Sequence, residues 1–144
     1  MKKSIGKPLK KHNFNKLVNI MARLRGPKGC PWDKRQSHRT LLKHLFSEAR
    51  EVKEAIKNND FENLKEELGD ILLQVIFHSR VAEESGHFSI ADVVDEISRK
   101  LIRRHPHVFG DEKLKTANDV LRRWKEIKLQ EKKYKQQSKV KSWA

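Results

Sequence analysis

The sequence predicts an all-α protein, a helical bundle built on an antiparallel helix hairpin and completed by dimerisation. Apolar residues recur at helical spacing in three segments, caps and helix-ending residues mark two further helices, and no segment of convincing length alternates as a strand does. The third helical segment contains ILLQVIF at 71–77, which is apolar nearly all round and must be covered on most sides. Four or five helices of one chain can hardly bury such a helix on most sides, so the pattern favours a second subunit. The alternative is a central helix in a monomeric bundle.

The first three helices are predicted at 13–25, 38–57 and 61–85. Each shows an apolar stripe at helical spacing, and Asp60 is a good N-cap for the third. Residues 26–37 contain two prolines and two glycines, which predicts a loop between the first two helices.

The carboxyl-terminal half is predicted to contain two further helices. Gly86 should end the third helix, because glycine adopts the left-handed conformation that follows many helices. The fourth is capped by Ser89 and ends before Pro106, and a loop follows at 105–115. The fifth begins at Thr116 and fades into a tail rich in lysine and glutamine.

The net charge of +14 is concentrated at the two ends of the chain. Residues 1–12 carry five lysines and no acid, and residues 122–141 carry nine Lys/Arg against two glutamates. We divide the chain into a flexible basic arm at 1–12, a folded domain at 13–130 and a basic, disordered tail at 131–144. The basic ends permit contact with nucleic acid, but the nearly balanced middle does not indicate this as the main role.

Cysteine usage argues against a protein with intrachain disulfides, and hydropathy argues against a membrane-spanning protein. Cys30 is the single cysteine, so no intrachain disulfide forms, and a cytoplasmic protein is expected. No apolar run approaches the ~18 residues of a membrane-spanning helix, so no membrane partner is expected. The basic start lacks the apolar stretch of a signal peptide.

Acidic residues are concentrated in the predicted hairpin, where 48–70 holds eight of them. Glu51 and Glu67 are each eight residues from Asn59, and Glu48 and Asp70 are each eleven. Equal distances from the turn place residues of an antiparallel hairpin at equal heights, and each acidic pair flanks its apolar stripe on the same side. Four carboxylates should therefore converge at the edge of the core.

Convergent carboxylates repel one another unless a cation lies between them. Ligands that are all oxygen suit a hard divalent ion, so we expect Mg²⁺, with Mn²⁺ as a substitute. The alternative is a solvated acidic face paired with Arg50, Lys53 and Lys65. A ferritin-like di-iron bundle is excluded, because its Glu-x-x-His motif has one candidate, Glu84 to His87, which crosses the break at Gly86.

Several long segments also carry a resemblance to a known family. They are LRGPKGCPWDKRQSH, EARE, EELGDILLQVIFHSRVAEESGHF, KLIRRHPHVFGD and RWKEIK, in that order over about residues 14–130. The chain resembles the MazG nucleotide pyrophosphohydrolases, which are all-α nucleoside triphosphate (NTP) pyrophosphatases. The resemblance implies hydrolysis of NTPs and dNTPs to NMP and pyrophosphate, with nucleotide-pool sanitation among the roles of relatives.

The resemblance also implies residue roles and a homo-oligomer, dimeric or higher. The implied Mg²⁺ ligands, which hold the attacking water through the metal, are Glu48, Glu51, Glu67 and Asp70. The implied substrate-binding residues are Lys100, Arg104, Trp124 and Lys128. The chain departs from the family at Ser47, where an additional glutamate is usual.

The residue types at the implied substrate positions suit a nucleotide. Lys100 and Arg104 are four residues apart on one helix face and would grip phosphates, with the arginine suited to bidentate contact. Trp124 would stack on the base, and Lys128 lies one turn beyond it. His105 and His107 are interpreted as part of a rigid turn around Pro106. The alternative function is a basic helical protein that associates with nucleic acid and carries a lapsed nucleotide site.

Overall fold

In a computed structural model that describes residues 11–143, the chain is helical with no strand among those residues. The prediction of an all-α protein is confirmed. In chain order, the helices of the described residues are α1 (Phe14–Leu24), α2 (Pro31–Arg35), α3 (His38–Lys57), α4 (Phe61–Glu84), α5 (Ile90–Arg104), α6 (Pro106–Phe109) and α7 (Ala117–Trp143).

Side-chain caps fix where the long helices begin. The Asn13 side chain accepts a hydrogen bond from the Lys16 amide at the start of α1, and Asp60 accepts from Asn63 at the start of α4. At the start of α3, Ser37 and Thr40 form a reciprocal capping box. These contacts satisfy amides that have no partner inside their helix, which is why the helices start close to the positions predicted from sequence.

Glycines shape the ends of two helices. Gly86, just beyond α4, has a φ of 75°, a conformation that side chains other than glycine rarely adopt. A Cβ on Gly29 would lie 1.9 Å from the Leu24 carbonyl oxygen, so the loop after α1 folds back closely only because this residue is glycine. The predicted loop at 26–37 also contains the short helix α2, which starts at Pro31, where proline is favoured.

Contacts along the chain divide it into two units, at 1–90 and 91–144. In the described part of the first unit, α3 and α4 are joined by residues 58–60 and pack against each other, and α1 packs on α4. The buried core of this unit consists of Met21, Leu41, Ile76 and Phe77.

Helix α4 remains partly uncovered within one chain. Ile76 and Phe77 are buried, but Leu68, Leu72 and Val75 are 52%, 39% and 40% exposed. Residues 71–77 were predicted to be buried on most sides of the helix. The first unit of the same chain buries only one side of them. No helix among the described residues is long and apolar enough to cross a membrane.

The second unit contains α5, α6 and α7, and the structure differs from prediction at its end. Helix α7 continues to Trp143, so 131–143, predicted to be disordered, is helical. Lysine and glutamine have good helix propensity and continue a helix that is already nucleated. The predicted flexible arm at 1–12 falls almost entirely outside the described residues.

Candidate active site

Three half-buried carboxylates meet in the first unit: Glu48, Glu67 and Asp70. Each offers one oxygen, and these oxygens all lie within 4.8 Å of one another. Glu67 and Asp70 are one turn apart on α4 and Glu48 comes from α3, so packing of the two helices creates the cluster. Within 11–143, no other group of three Asp, Glu, His or Cys side chains offers ligand atoms this close together.

Glu51 was also predicted from the sequence to be a metal ligand, but the structure leaves it outside this group. Its residue is exposed, whereas the other three are half-buried. Its charge nevertheless acts on Glu67, where it is one of the causes of a raised pKa. Glu51 is therefore close enough for its charge to act on Glu67, but it does not belong to the group of oxygens within 4.8 Å of one another.

The electrostatics of the cluster are unfavourable without a cation. The pKa of Glu67 is raised to about 7, first by burial, then by the hydrogen bond and charge of Glu48 and by the charges of Asp70 and Glu51. A carboxyl group with this pKa is about half protonated at neutral pH. A divalent ion at this position would remove the repulsion and restore the ionised form.

The donor set fits such an ion. Oxygen ligands at ~2.1 Å from Mg²⁺ in octahedral geometry lie roughly 3–4 Å apart, so small side-chain adjustments suffice to bring the three oxygens onto one ion. No histidine or cysteine belongs to the cluster, which favours hard Mg²⁺ or Mn²⁺ over zinc.

A separate cavity of about 320 Å³ lies in the second unit, between α5 and α7. Three of the four sequence-predicted substrate residues line it: Lys100, Arg104 and Trp124. Its walls are otherwise mainly apolar, formed by Ile97, Leu101, Val120 and Leu121, with His105 also at the lining. The combination of an indole, apolar walls and two cations suits a ligand with an aromatic base and an anionic end.

The fourth predicted residue, Lys128, lies on the Trp124 ring. Its Nζ is 4.7 Å from the ring centroid, and the guanidinium carbon of Arg104 is 5.8 Å from the same centroid. Both are cation–π contacts, so Arg104 and Lys128 lie on one indole, and Lys100 lines the same cavity as that indole.

Sequence reasoning missed the residue that holds Arg104. Glu131 accepts hydrogen bonds from Arg104 and Arg103, and these bonds are the first cause of its pKa being lowered to about 2. Glu131 lies seven residues after Trp124, two turns along the same face of α7. The spacing from Trp124 could have indicated Glu131. The prediction of a disordered tail at 131–144 instead placed this residue outside the folded domain.

His105 and His107 were predicted to lie in a rigid turn, but in the structure His105 precedes the short helix α6 and His107 lies within it; neither belongs to the carboxylate group of the described residues. Nδ1 of His105 lies 2.6 Å from the carbonyl oxygen of Leu101, and α6 begins at Pro106. Because the carbonyl only accepts, the His105 Nδ1 carries the proton.

A histidine pair that the sequence did not indicate lies in the first unit. The rings of His38 and His78 stack with their Nδ1 atoms 2.8 Å apart, and the His78 Nε2 atom is buried without a hydrogen-bond partner.

Comparison with known proteins gives a consistent family assignment. A family model described as the MazG nucleotide pyrophosphohydrolase domain matches residues 36–109. A protein titled nucleoside triphosphate pyrophosphohydrolase/pyrophosphatase MazG from Thermotoga maritima is 47% identical over 127 residues, covering 88% of this chain and 48% of that protein. The uncharacterized protein YabN of Bacillus subtilis is 49% identical over 121 residues, covering 84% of this chain and 25% of YabN.

A solved structure supports the same assignment. The crystal structure of a mazG-related protein from Thermotoga maritima matches with a TM-score of 0.67 and 36% identity, covering 79% of this chain and 97% of that one. The chain spans about a quarter to a half of the length of the two curated relatives. From the family model and the solved structure together, this chain belongs to the MazG nucleotide pyrophosphohydrolase domain family.

Proposed function

We propose that this chain hydrolyses nucleoside triphosphates between the α and β phosphates, releasing NMP and pyrophosphate, with Mg²⁺ bound by Glu48, Glu51, Glu67 and Asp70. The observation that carries the proposal is the meeting of three of these carboxylates in a chain of the MazG family. The name nucleoside triphosphate pyrophosphohydrolase, which relatives of this chain bear, supports the reaction class.

The carboxylates would act as ligands. Glu48, Glu67 and Asp70 present oxygens toward a common point, and a change of rotamer at the exposed Glu51 would add a fourth carboxylate. Bound Mg²⁺ would polarise a phosphoryl oxygen and lower the pKa of the attacking water.

The second unit would hold the substrate. Trp124 offers a ring face for the base, and Lys100, Arg104 and Lys128 supply cationic groups for a polyphosphate that carries about four negative charges near neutral pH. Lysine ammonium groups neutralise charge, and the arginine fork fixes orientation, because two of its N–H groups can bind one phosphate.

We further propose that α3 and α4 form an antiparallel hairpin and that two chains complete the bundle. Large apolar side chains are exposed on both helices, including Phe46 at 65%, Phe61 at 73% and Leu68 at 52%. Burial of such a surface is worth about 25 cal/mol per Å², which favours association. Sedimentation equilibrium should show a dimer or higher oligomer, and a Leu68→Glu variant should shift it toward the monomer. A monomeric wild-type chain would contradict this part of the proposal.

The reaction is tested by separating the products of a panel of NTPs and dNTPs by ion-exchange chromatography, with and without Mg²⁺. NMP and pyrophosphate should appear only with the metal, and a Glu67→Ala/Asp70→Ala variant should lose at least ~100-fold in rate. A matched Glu62→Ala/Glu66→Ala variant removes two exposed acids from the same helix and should keep wild-type rates.

Other outcomes of this experiment would show which part of the proposal is wrong. NDP and phosphate would contradict the reaction class. No turnover of any nucleotide by a folded protein would favour the lapsed site considered from the sequence, with Ser47 as the first residue to restore to glutamate. Nucleotide-pool sanitation and a cytoplasmic location stay predictions, which the ranking of substrates and cell fractionation would test.

A further inference from the structure

Glu131 forms the most enclosed ion-pair network of the second unit. Its carboxylate accepts from Arg103 Nε at 2.6 Å, from Arg104 Nη2 at 2.9 Å and from Arg104 Nε at 3.4 Å. The side chains of Glu131 and Arg104 are only 17% and 18% exposed, whereas that of Arg103 is 46% exposed. The Glu131–Arg104 contact is therefore shielded from water, and its geometry is more restrained than that of a surface pair.

This contact fixes the position of a guanidinium that lines the Trp124 cavity. Arg104 lies at the cavity lining with Lys100, and its guanidinium carbon is 5.8 Å from the Trp124 ring centroid. A free arginine side chain has about 2 kcal/mol of rotamer entropy to lose when it binds a ligand. An arginine that Glu131 already holds in place has lost much of it before the ligand arrives.

We propose that Glu131 is a positioning residue that orients the Arg104 guanidinium for the phosphates of the nucleotide. The inference rests on the proposed function and adds a residue to it. Glu131 does not contact the nucleotide itself, and its effect passes through Arg104.

Arg104 can bind phosphate while Glu131 holds it, because N–H donors remain free and the network keeps a positive charge. A guanidinium has five N–H donors, and Glu131 engages those on Nη2 and Nε, so Nη1 remains for a ligand. One carboxylate faces two guanidinium groups, so the network keeps a net positive charge. The low pKa of Glu131, about 2, keeps it ionised throughout the working pH range.

The test compares Glu131→Gln with a matched control in the same unit. Glu112 forms a forked ion pair with Arg123 at 2.9 Å, on residues that do not line the Trp124 cavity, so Glu112→Gln removes an equivalent contact elsewhere. Glu131→Gln should raise the KM for the Mg–NTP substrate about tenfold and leave kcat within about twofold, because positioning for binding is lost and the metal cluster is untouched. Glu112→Gln should leave both constants unchanged.

A double-mutant cycle separates positioning from general stability. Arg104→Lys removes the fork, so Glu131→Gln added to Arg104→Lys should raise KM no further. Independent effects of the two substitutions would overturn the proposal, as would an unchanged KM or a lower KM in Glu131→Gln. A lower KM would mean that Glu131 competes with phosphate for Arg104. Should Glu131→Gln fail to fold, Glu131→Asp, which keeps the charge and withdraws the carboxylate by one methylene, carries the same comparison.

Binding of a hydrolysis-resistant α,β-methylene NTP, measured by calorimetry, distinguishes failure of this inference from failure of the proposed function. Weaker binding in Glu131→Gln supports positioning even if the wild-type chain has no turnover. Equal binding by both proteins contradicts positioning even if the wild-type chain is a pyrophosphohydrolase.

Discussion

One carboxylate oxygen of Glu48 on α3 and one of Glu67 on α4 lie within 4.8 Å of each other, and a hydrogen bond between these groups is among the causes that raise the pKa of Glu67. Two carboxylates can share a hydrogen bond only when one carries a proton. Burial, together with this bond and the neighbouring charges, raises the pKa of Glu67 to about 7. The metal-free cluster is therefore sensitive to pH near neutrality.

Stabilisation by Mg²⁺ should depend on pH. The folded-state pKa of Glu67 lies above its ordinary value of 4.5, so the metal-free fold loses stability from this group as pH rises from about 4.5 to about 7. Mg²⁺ binds the ionised form and should raise the Tm markedly at pH 8 and little at pH 5.5, as measured by calorimetry. An equal Tm shift at the two pH values would contradict a site that contains Glu67.

A Glu67→Gln variant provides the control for this prediction. It removes the charge repulsion within the cluster, so the metal-free variant should unfold at a higher urea concentration than the wild type at pH 8. Its Tm should respond weakly to Mg²⁺. Lower stability of the metal-free variant at pH 8 would show that the cluster is not under electrostatic repulsion.

The histidine pair should make the first unit sensitive to acid. Burial lowers the pKa of His78, and the neighbouring His38 lowers it further. The folded state therefore binds fewer protons than the unfolded state, and the stability that neutral His78 contributes is lost as pH falls below about 6.5. In urea titrations the difference between wild type and His78→Gln should be largest at pH 8 and narrow by pH 5. A difference that is constant with pH would contradict this account.

Arg25 should be required for the loop between α1 and α3. Its guanidinium binds Glu84 Oε2 at 2.8 Å and donates to the carbonyl oxygens of Asp33 and Gln36, and its side chain is only 9% exposed. Arg25→Ala leaves these acceptors without a donor and should lower the free energy of unfolding by about 2–4 kcal/mol. Glu84→Gln keeps the carbonyl contacts and should cost about 1 kcal/mol. Equal losses in the two variants, measured by urea denaturation, would argue against the loop contacts.

Ile76 should be among the most sensitive core positions. It is 1% exposed and belongs to the cluster that joins α1, α3 and α4. Ile76→Ala should destabilise the fold by about 2–5 kcal/mol through lost burial and a residual cavity, and Ile76→Val by about 0.5–1.5 kcal/mol. A loss below about 1 kcal/mol for the alanine variant would place Ile76 outside the core.

The starts of the long helices followed from the sequence because their determinants are local. Asn13 and Asp60 cap helices whose start depends on a few neighbouring residues, and Gly86 follows a helix that ends close to where its left-handed conformation predicts. Helix periodicity also predicted that Glu48, Glu67 and Asp70 would converge, and the structure places one oxygen of each within 4.8 Å of the others.

The tertiary structure decided what depends on rotamers and on distant partners. Glu51 was predicted to join the other three carboxylates, yet it is exposed and lies outside their group, and helix periodicity alone does not fix the χ angles of an exposed side chain. Contacts such as Arg104 with Glu131 and His38 with His78 join residues 27 and 40 positions apart, and no local pattern encodes them. The sequence by itself determined where the long helices begin and the helix faces on which the acidic residues lie; packing determined which side chains touch, since each contact depends on how two separate helices are placed.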